Sequence, residues 1–261
     1  MSERLKKLLS SGRKLLVSYM MVGYPDPETS LRAFEVLVEN GSDLLEVGYP
    51  FSDPVADGPT IQQAHEVALK NGVRFKTVVD AVARLRERFP DTPLLVMTYY
   101  NPVFKVGLER FVDAFAEAGA DGFIVPDLPP EESSELKGVL SERNLALVML
   151  AAPTSTPGRL RRICRTTDLM TYFVSVTGIT GERDRLPLEN LRKKLELYRS
   201  LCDKKVVVGF GVSKPEHAEQ VGQLADGVVV GSHFVKLAGK RDLKALAEAV
   251  AALKEGLLRA S

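Results

Sequence analysis

The chain has 261 residues, of which 45% are hydrophobic and 26% are charged, and its formal net charge is +1. This composition is typical of a soluble globular protein, and a net charge this close to zero gives no reason to expect a nucleic-acid or membrane-surface partner. The sequence contains no apolar run of the roughly 18 residues that a membrane-spanning helix requires.

The N-terminal residues and the two cysteines indicate in which cellular compartment the protein is expected. Residues 1–13 are charged and lack the apolar stretch of a secretory signal. Cys164 and Cys202 are far apart and do not have the spacing of metal ligands. We therefore expect a cytoplasmic protein without a metal site, in which both cysteines are reduced structural thiols.

Short apolar runs alternate with longer amphipathic segments along the whole chain. The runs are rich in Val, Leu and Ile and mostly continuous, which is typical of parallel strands buried on both faces. The eight predicted strands are residues 15–22, 43–49, 93–99, 121–127, 145–151, 169–176, 205–211 and 225–231.

Helix signals fill the segments between these runs. Asp26 is a plausible N-cap for the first of them, and Pro90 ends the second. The predicted helices are residues 2–10, before the first strand, and then 27–39, 73–89, 108–118, 130–143, 157–165, 188–201, 214–223 and 242–258.

Eight strand–helix units in about 260 residues predict a single (β/α)8 TIM barrel spanning residues 1–261, with the extra N-terminal helix covering one end. The alternative is an open doubly wound sheet. That fold would normally have a glycine-rich fingerprint after its first strand, whereas residues 23–27 here read Gly-Tyr-Pro-Asp-Pro. The barrel is therefore favoured.

A carboxylate interrupts the second apolar run, where Glu46 stands between Leu45 and Val47. An ionised carboxylate buried there without a partner would cost several kcal/mol, so the group is either well satisfied by the fold or kept protonated for chemistry. If Leu45 and Val47 pack under the helices, alternation points Glu46 into the barrel near its mouth, where active sites of this fold lie. Asp57 follows eleven positions later on a loop, and two carboxyls in different settings indicate two different roles.

Three glycine-bearing segments follow the last three predicted strands, at residues 177–181, 209–213 and 231–234. Barrel phosphate sites are commonly built from the loops after the seventh and eighth strands and from the N-terminus of a short extra helix. Glycines let backbone N–H groups approach phosphate oxygens, and Ser232 could add a hydroxyl. A phosphate-bearing ligand is therefore expected, although turns also require glycine.

The remaining candidates have simpler explanations. His65 and His217 are expected to be helical, as surface or internally satisfied histidines, although only His217 lies in one of the helix ranges given above. His233, in the third glycine segment, has no assigned role. Five side chains near strand ends could line an apolar pocket for a flat ring or could be ordinary core packing. These are Tyr19, Met97, Tyr99, Ile124 and Tyr172.

Residues 46–62 read EVGYPFSDPVADGPTIQ, a long motif that closely resembles the signature of the tryptophan synthase α subunit. Residues 126–129, 178–181 and 209–213 resemble later motifs of that family in the same order, so the resemblance runs nearly end to end. It implies the retro-aldol cleavage of indole-3-glycerol phosphate to indole and glyceraldehyde 3-phosphate.

The resemblance also implies roles for individual residues. Glu46 matches the general acid–base, which protonates indole C3 and helps remove the proton of the glycerol hydroxyl. Asp57 matches the carboxylate that binds the indole N–H, and Tyr172 matches a tyrosine that could hold this aspartate by a hydrogen bond. Positions matching phosphate contacts are Gly181, Gly211, Gly231 and Ser232, with Phe210 beside them, and positions around the indole ring are Tyr19, Met97, Tyr99 and Ile124.

Two positions depart from the family pattern. Tyr19 stands where the family often has Phe, and Val176 stands where some members have Arg before the Gly178–Gly181 loop. The second departure puts closure of that loop in doubt, whereas the Glu46/Asp57 pair is intact.

The family partner is a β subunit that uses pyridoxal phosphate, so the resemblance implies an αββα complex that passes indole through a tunnel, and no cofactor in this chain. The partner-facing surface would include residues 53–60, residues 99–104 and the loop after Gly178.

Two other functions remain as alternatives. The first is a different phosphate-handling barrel enzyme, such as an isomerase or a synthase that forms indole-glycerol phosphate. Such a synthase would be expected to use a strand-borne lysine, but Lys204 and Lys205 lie at the N-terminal end of their strand. A purely regulatory binding subunit would not need the Glu46/Asp57 pair.

Overall fold

The structure is a computed structural model that describes residues 2–174, 188–209 and 211–260. Eight parallel strands pair in chain order, and the first also pairs with the last, so the sheet closes into a barrel. This confirms the predicted (β/α)8 architecture. The strands are β1 Leu15–Met21, β2 Leu44–Gly48, β3 Leu94–Met97, β4 Gly122–Ile124, β5 Ala146–Ala151, β6 Met170–Val174, β7 Lys205–Gly209 and β8 Gly227–Val230.

The helices of the described residues surround this barrel. They are α1 Glu3–Ser10, α2 Pro27–Glu39, α3 Pro59–Lys70, α4 Phe75–Arg88, α5 Tyr100–Val106, α6 Leu108–Ala118, α7 Ser134–Glu142, α8 Pro157–Thr166, α9 Leu188–Leu201, α10 Pro215–Leu224, α11 Ser232–Gly239 and α12 Leu243–Arg259. Within the described ranges no helix is both long and apolar enough to cross a membrane.

Local signals set several helix ends where the sequence predicts them. The Asp26 side chain accepts a hydrogen bond from the Thr29 backbone N–H at 2.8 Å, which makes it the N-cap of α2. Gly119 adopts a left-handed conformation, with φ of +96°, directly after α6. The predicted bounds of α2, α6 and α9 match the structure.

Four helical segments differ from the prediction. The expected helix over 130–143 is divided into a 3-10 turn, Pro130–Glu132, and α7, because Ser133 ends the turn and its hydroxyl donates to the Pro130 carbonyl. Helices α3, α5 and α11 have no counterpart among the predicted ranges. The start of α5 is stabilised by the Asp127 carboxylate, which accepts the Tyr100 N–H at 2.9 Å from the loop after β4.

The interior of the barrel is filled by alternate residues of the strands. Helix α1 closes the end where the strands begin, and its apolar face joins the interior cluster, as the sequence predicts. The interior cluster contains Leu5, Leu8 and Leu9 from α1 together with Leu15, Val17, Leu44, Leu95, Ile124, Ala146, Val148, Met170, Val207 and Val229.

Four aspartates repeat around this closed end. Each lies just before an even-numbered strand, accepts a backbone N–H from the start of the preceding strand at 2.8–3.0 Å, and pairs with a Lys or Arg. They are Asp43, Asp121, Asp168 and Asp226. The aspartates therefore tie neighbouring strands together at the face opposite the barrel mouth.

The prediction of reduced cysteines is wrong. Cys164 of α8 and Cys202, just after α9, form a disulfide with their Cα atoms 5.8 Å apart. The two cysteines are 38 positions apart in sequence, but α8 and α9 flank the same strand, β6, and pack side by side. The pairing follows from this tertiary packing and is not visible in the sequence spacing.

Candidate active site

Glu46 lies on the interior face of β2, two residues before the end of the strand. Its neighbours Leu45 and Val47 pack in the outer layer under the helices, whereas Leu44 joins the interior cluster. In the register of the barrel Glu46 stands beside Tyr19 of β1. The alternation read from the sequence therefore gives the correct orientation of this side chain.

The Glu46 carboxyl is buried without compensation. The residue is 1% exposed, and its Oε1 atom has no hydrogen-bond partner in the part of the chain that the structure describes. Burial raises the pKa of Glu46 to about 8, because removal from water disfavours the charged form. The group is therefore a neutral carboxylic acid at pH 7.

Asp57 has a contrasting environment on the loop between β2 and α3. The Tyr99 hydroxyl donates to its Oδ2 atom at 2.7 Å, and Nε2 of His65 lies 3.1 Å from the same oxygen. No donor from residues 2–174, 188–209 or 211–260 reaches Oδ1. The two donors complement a negative charge, and both of them contact Oδ2.

His65 is the main functional residue that the sequence did not reveal. It is buried and satisfied, as expected, but its partner is Asp57. The available signal was its position on the inward face of α3, in step with the buried residues Ile61, Ala64 and Ala68. His217 differs from the prediction, since it is buried and its Nδ1 has no partner among the described residues.

Three of the five predicted ring-lining residues contact the interior cluster. Met97 and Tyr172 are partly buried against it, and Ile124 belongs to it. Tyr19 packs in the outer cluster, and Tyr99 lies just after β3 as the N-cap of α5. Leu150 of β5, which was not predicted, also packs against the interior cluster, paired in register with Tyr172. These side chains form an apolar wall beside Glu46 that suits a flat ring.

Two glycines make room for tyrosine hydroxyls at this wall. A Cβ atom on Gly48 would lie 2.5 Å from the Tyr19 hydroxyl oxygen, and one on Gly209 would lie 2.4 Å from that of Tyr172. Asp57 receives its hydrogen bonds from Tyr99 and His65, so the bond suggested for Tyr172 is not formed. Tyr172 instead packs against β7.

All three tyrosines of the site remain neutral phenols. Burial, followed by the charge of Asp57, raises the pKa of Tyr19 and of Tyr99 well above its usual value. Burial and the charge of Glu46 do the same for the pKa of Tyr172. These hydroxyl groups therefore serve as hydrogen-bond donors rather than as bases.

The predicted phosphate residues that the structure describes lie at the adjoining strand ends. Gly211 follows β7 with φ of +69°, a conformation that favours glycine. Gly231 follows β8, packs against Tyr19 and precedes the first turn of α11, which starts at Ser232. The N–H groups of such a turn attract anions. Gly181, Phe210 and Val176 lie outside the described residues.

A closed (β/α)8 barrel with a neutral buried acid and a hydrogen-bonded carboxylate at its mouth defines a barrel enzyme with an acid–base site. The model of the family described as tryptophan synthase alpha chain matches residues 5–259. The chain therefore belongs to the tryptophan synthase alpha chain family.

Individual relatives agree with this assignment. The tryptophan synthase alpha chain of Aquifex aeolicus (strain VF5) is 60% identical over 256 residues, which is 98% of each chain. That of Geobacter sp. (strain M21) is 42% identical, covering 100% of this chain and 98% of the relative. A solved structure of Mycobacterium tuberculosis tryptophan synthase superposes with a TM-score of 0.91 at 36% identity, covering 98% of this chain and 99% of that one.

Proposed function

We propose that Glu46 and Asp57 catalyse the reaction of this family in a single barrel domain spanning residues 1–261. The chain is a carbon–carbon lyase that cleaves indole-3-glycerol phosphate to indole and glyceraldehyde 3-phosphate. The observation that supports these roles most strongly is the unpartnered Oε1 of Glu46, with a pKa of about 8, opposite a carboxylate held by two donors.

The first step is protonation of the indole ring. The Glu46 carboxylic acid transfers its proton to C3, and the positive charge that develops on the ring nitrogen is stabilised by Asp57, which accepts the N–H. Protonating an aromatic carbon requires an undissociated acid close to it. A neutral Glu46 in an apolar wall meets this requirement, and an ionised Asp57 stabilises the cation.

The second step breaks the carbon–carbon bond. The Glu46 carboxylate, now without its proton, accepts the proton of the glycerol hydroxyl. The hydroxyl oxygen becomes the aldehyde oxygen as the bond to C3 breaks, and the bonding electrons return to the ring to give indole. The proton that Glu46 loses in the first step is thus regained in the second, and the acid is restored for the next turnover.

The pocket residues divide between the two ends of the substrate. Met97, Ile124, Tyr172 and Leu150 line the ring, with Tyr19 and Tyr99 at its edge. The backbone N–H groups at Gly211, Gly231 and Ser232, together with Gly181 and Phe210, bind the phosphate.

The partner is a tryptophan synthase β subunit in an αββα complex, to which indole passes through a tunnel. Two large apolar side chains support a contact surface at the barrel mouth. Val55 on the loop after β2 is 82% exposed and Phe104 on α5 is 74% exposed, and both lie on the predicted partner-facing segments. Exposed apolar groups beside an active site are typical of an interaction surface.

Pyridoxal phosphate belongs to the β subunit, so this chain functions without a cofactor of its own. We place the complex in the cytoplasm. A regulatory subunit without activity remains the competing function, and the intact acid pair is the feature that disfavours it.

Indole release from indole-3-glycerol phosphate by the purified chain, alone and with a β subunit, tests the proposal. We expect slow release alone and a large increase with the partner, and Glu46→Gln should lower the rate by about 10²- to 10⁴-fold. Fast release alone would indicate a stand-alone lyase. No release in either case, with a folded barrel by circular dichroism, would contradict the catalytic function.

A further inference from the structure

We propose that His65 is a positioning residue that orients Asp57 toward the indole nitrogen. It does so as a neutral imidazole whose tautomer is fixed by the protein backbone. This inference rests on the function proposed above for Asp57 and adds a residue to which no role in the reaction has been given.

The tautomer follows from two hydrogen bonds. The backbone N–H of Phe51 points at Nδ1 of His65 across 2.9 Å. A backbone N–H can only donate, so Nδ1 must present its lone pair, and in a neutral ring the proton must then lie on Nε2. Nε2 is the atom that faces Asp57 Oδ2 at 3.1 Å. His65 therefore donates to Asp57 and cannot accept a second proton without losing the bond from Phe51.

Packing holds the ring in this orientation. The His65 side chain is 4% exposed and projects from the inward face of α3, and its ring meets the Tyr99 ring edge-on with centroids 6.0 Å apart. Tyr99 also stacks on Phe51, with centroids 5.3 Å apart. A rotated imidazole would lose the hydrogen bonds to both Phe51 and Asp57.

His65 thereby connects the two ends of the loop that carries the catalytic pair. Phe51 lies just after β2, the strand of Glu46, and Asp57 lies just before α3. Tyr99, just after β3, contributes as well, since its hydroxyl donates to Asp57 Oδ2 and accepts the Ala56 N–H at 3.0 Å. The position of Asp57 relative to Glu46 is thus set by one helix and one neighbouring strand.

The arrangement has a consequence for the reaction. His65 and Tyr99 both occupy Oδ2, which leaves Oδ1 as the oxygen to accept the indole N–H. Both donors are neutral, so neither adds a positive charge that would weaken the attraction between Asp57 and the ring cation. A protonated imidazole at this place would oppose that cation.

A matched pair of substitutions separates this role from simple loop support. In His65→Gln the amide nitrogen can replace Nε2 as donor to Asp57, whereas in His65→Asn the amide oxygen can replace Nδ1 as acceptor for Phe51. We expect His65→Gln to keep kcat within about threefold of the unchanged chain. His65→Asn should lower kcat by roughly 10- to 100-fold, the cost of a misplaced catalytic group. KM should change less than kcat in both variants, because the ring wall and phosphate contacts are retained.

Asp57→Asn distinguishes failure of this inference from failure of the proposed function. We expect it to lose most activity and His65→Asn to cause no further loss in its presence. Full activity of Asp57→Asn would overturn the proposed role of Asp57 itself. If Asp57→Asn is impaired but His65→Asn retains full kcat, or loses less than His65→Gln, the positioning role is wrong.

Nitrogen NMR of the unchanged chain labelled at histidine gives a test that does not depend on a variant being active. The chain has 3 histidines, and the signals that are lost in His65→Gln are those of the His65 ring. We expect a neutral ring at pH 7 with the proton on Nε2. A proton on Nδ1 would overturn the proposal.

Discussion

The chemistry at Glu46 depends on the burial of a single carboxyl that no charge among the described residues compensates. Its pKa of about 8 results from burial alone, unlike that of an acid raised by a second nearby carboxylate. The active form holds the proton, so activity should be present below this value and lost above it. We expect kcat/KM for indole release to fall as the pH rises through about 8, measured between pH 6 and 10. A rate that stays level to pH 10 would contradict this assignment.

Gly48 has a steric role at the same site. An alanine Cβ there would meet the Tyr19 hydroxyl oxygen at 2.5 Å and its ring at 2.8 Å, so Tyr19 would have to move into the ring pocket. We expect Gly48→Ala to cost about 1–3 kcal/mol in the free energy of unfolding and to raise KM. Gly138→Ala is the matched control, because nothing lies within 4 Å of its added Cβ. Thermal unfolding and steady-state kinetics measure both, and equal effects in the two variants would exclude a specific role for Gly48.

At the scale of secondary-structure elements, Asp121 joins three parts of the closed end of the barrel. It is 1% exposed, pairs with Arg86 of α4 at 2.6 Å, and accepts the Leu94 N–H of β3 at 2.8 Å. It also accepts a hydrogen bond from Ser2, the N-cap of α1. Removal of its charge breaks the ion pair of Arg86, whose other hydrogen bonds go to backbone carbonyls.

Asp121→Asn is therefore expected to lower the free energy of unfolding by about 3–5 kcal/mol, as when one member of a buried ion pair is lost. The control is Asp80→Asn, which removes the exposed pair with Lys76 on α4 and should cost less than about 0.5 kcal/mol. Urea unfolding gives both values. If Asp121→Asn lowers the free energy of unfolding as little as the control does, the ion pair of Asp121 contributes little to the stability of the barrel.

A helix or strand can be predicted from the sequence when the residues that determine it are local, and not when they come from distant parts of the chain. The number and order of the strands and the bounds of helices α2, α6 and α9 are set by local periodicity and by caps such as Asp26, and the sequence predicts them. Several strands are shorter than predicted, such as β4, which covers Gly122–Ile124 instead of residues 121–127. The first residue of helix α5 donates its backbone N–H to Asp127, which lies on the loop after another strand, β4. The α5 segment also contains Pro102, which locally indicates a turn. No local pattern contains that information.

The same division applies to the site. Strand alternation places Glu46 inside the barrel, because the side chains of a strand must alternate. The partners of Asp57 depend instead on how α3 and β3 pack around the loop, so Tyr99 and His65 become its donors only in three dimensions. The hydrogen bond from Tyr172 to Asp57 was expected from the family resemblance alone.

At the scale of the whole molecule, the disulfide adds a constraint that the sequence did not suggest. Cys164 and Cys202 close a loop of 38 positions, for which the loss of chain entropy in the unfolded state corresponds to about 4 kcal/mol. Both cysteines lie on the side where β6 and β7 begin, opposite the catalytic mouth.

We expect the double variant Cys164→Ser with Cys202→Ser to lose about 2–4 kcal/mol in the free energy of unfolding, with kcat for indole release unchanged. Mass spectrometry after alkylation of the unchanged chain should find no free thiol. Full alkylation without reduction, or a double variant of unchanged stability, would show that the bond does not contribute to the fold.

The central claim is that Glu46 is a neutral acid at neutral pH, and infrared titration of its carboxyl group tests it most directly. The difference spectrum between the unchanged chain and Glu46→Gln isolates this one group. We expect a protonated carboxyl band that persists at pH 7 and disappears with a midpoint near pH 8. A carboxylate band already present at pH 7, with a midpoint near the ordinary glutamate value of about 4.3, would contradict it.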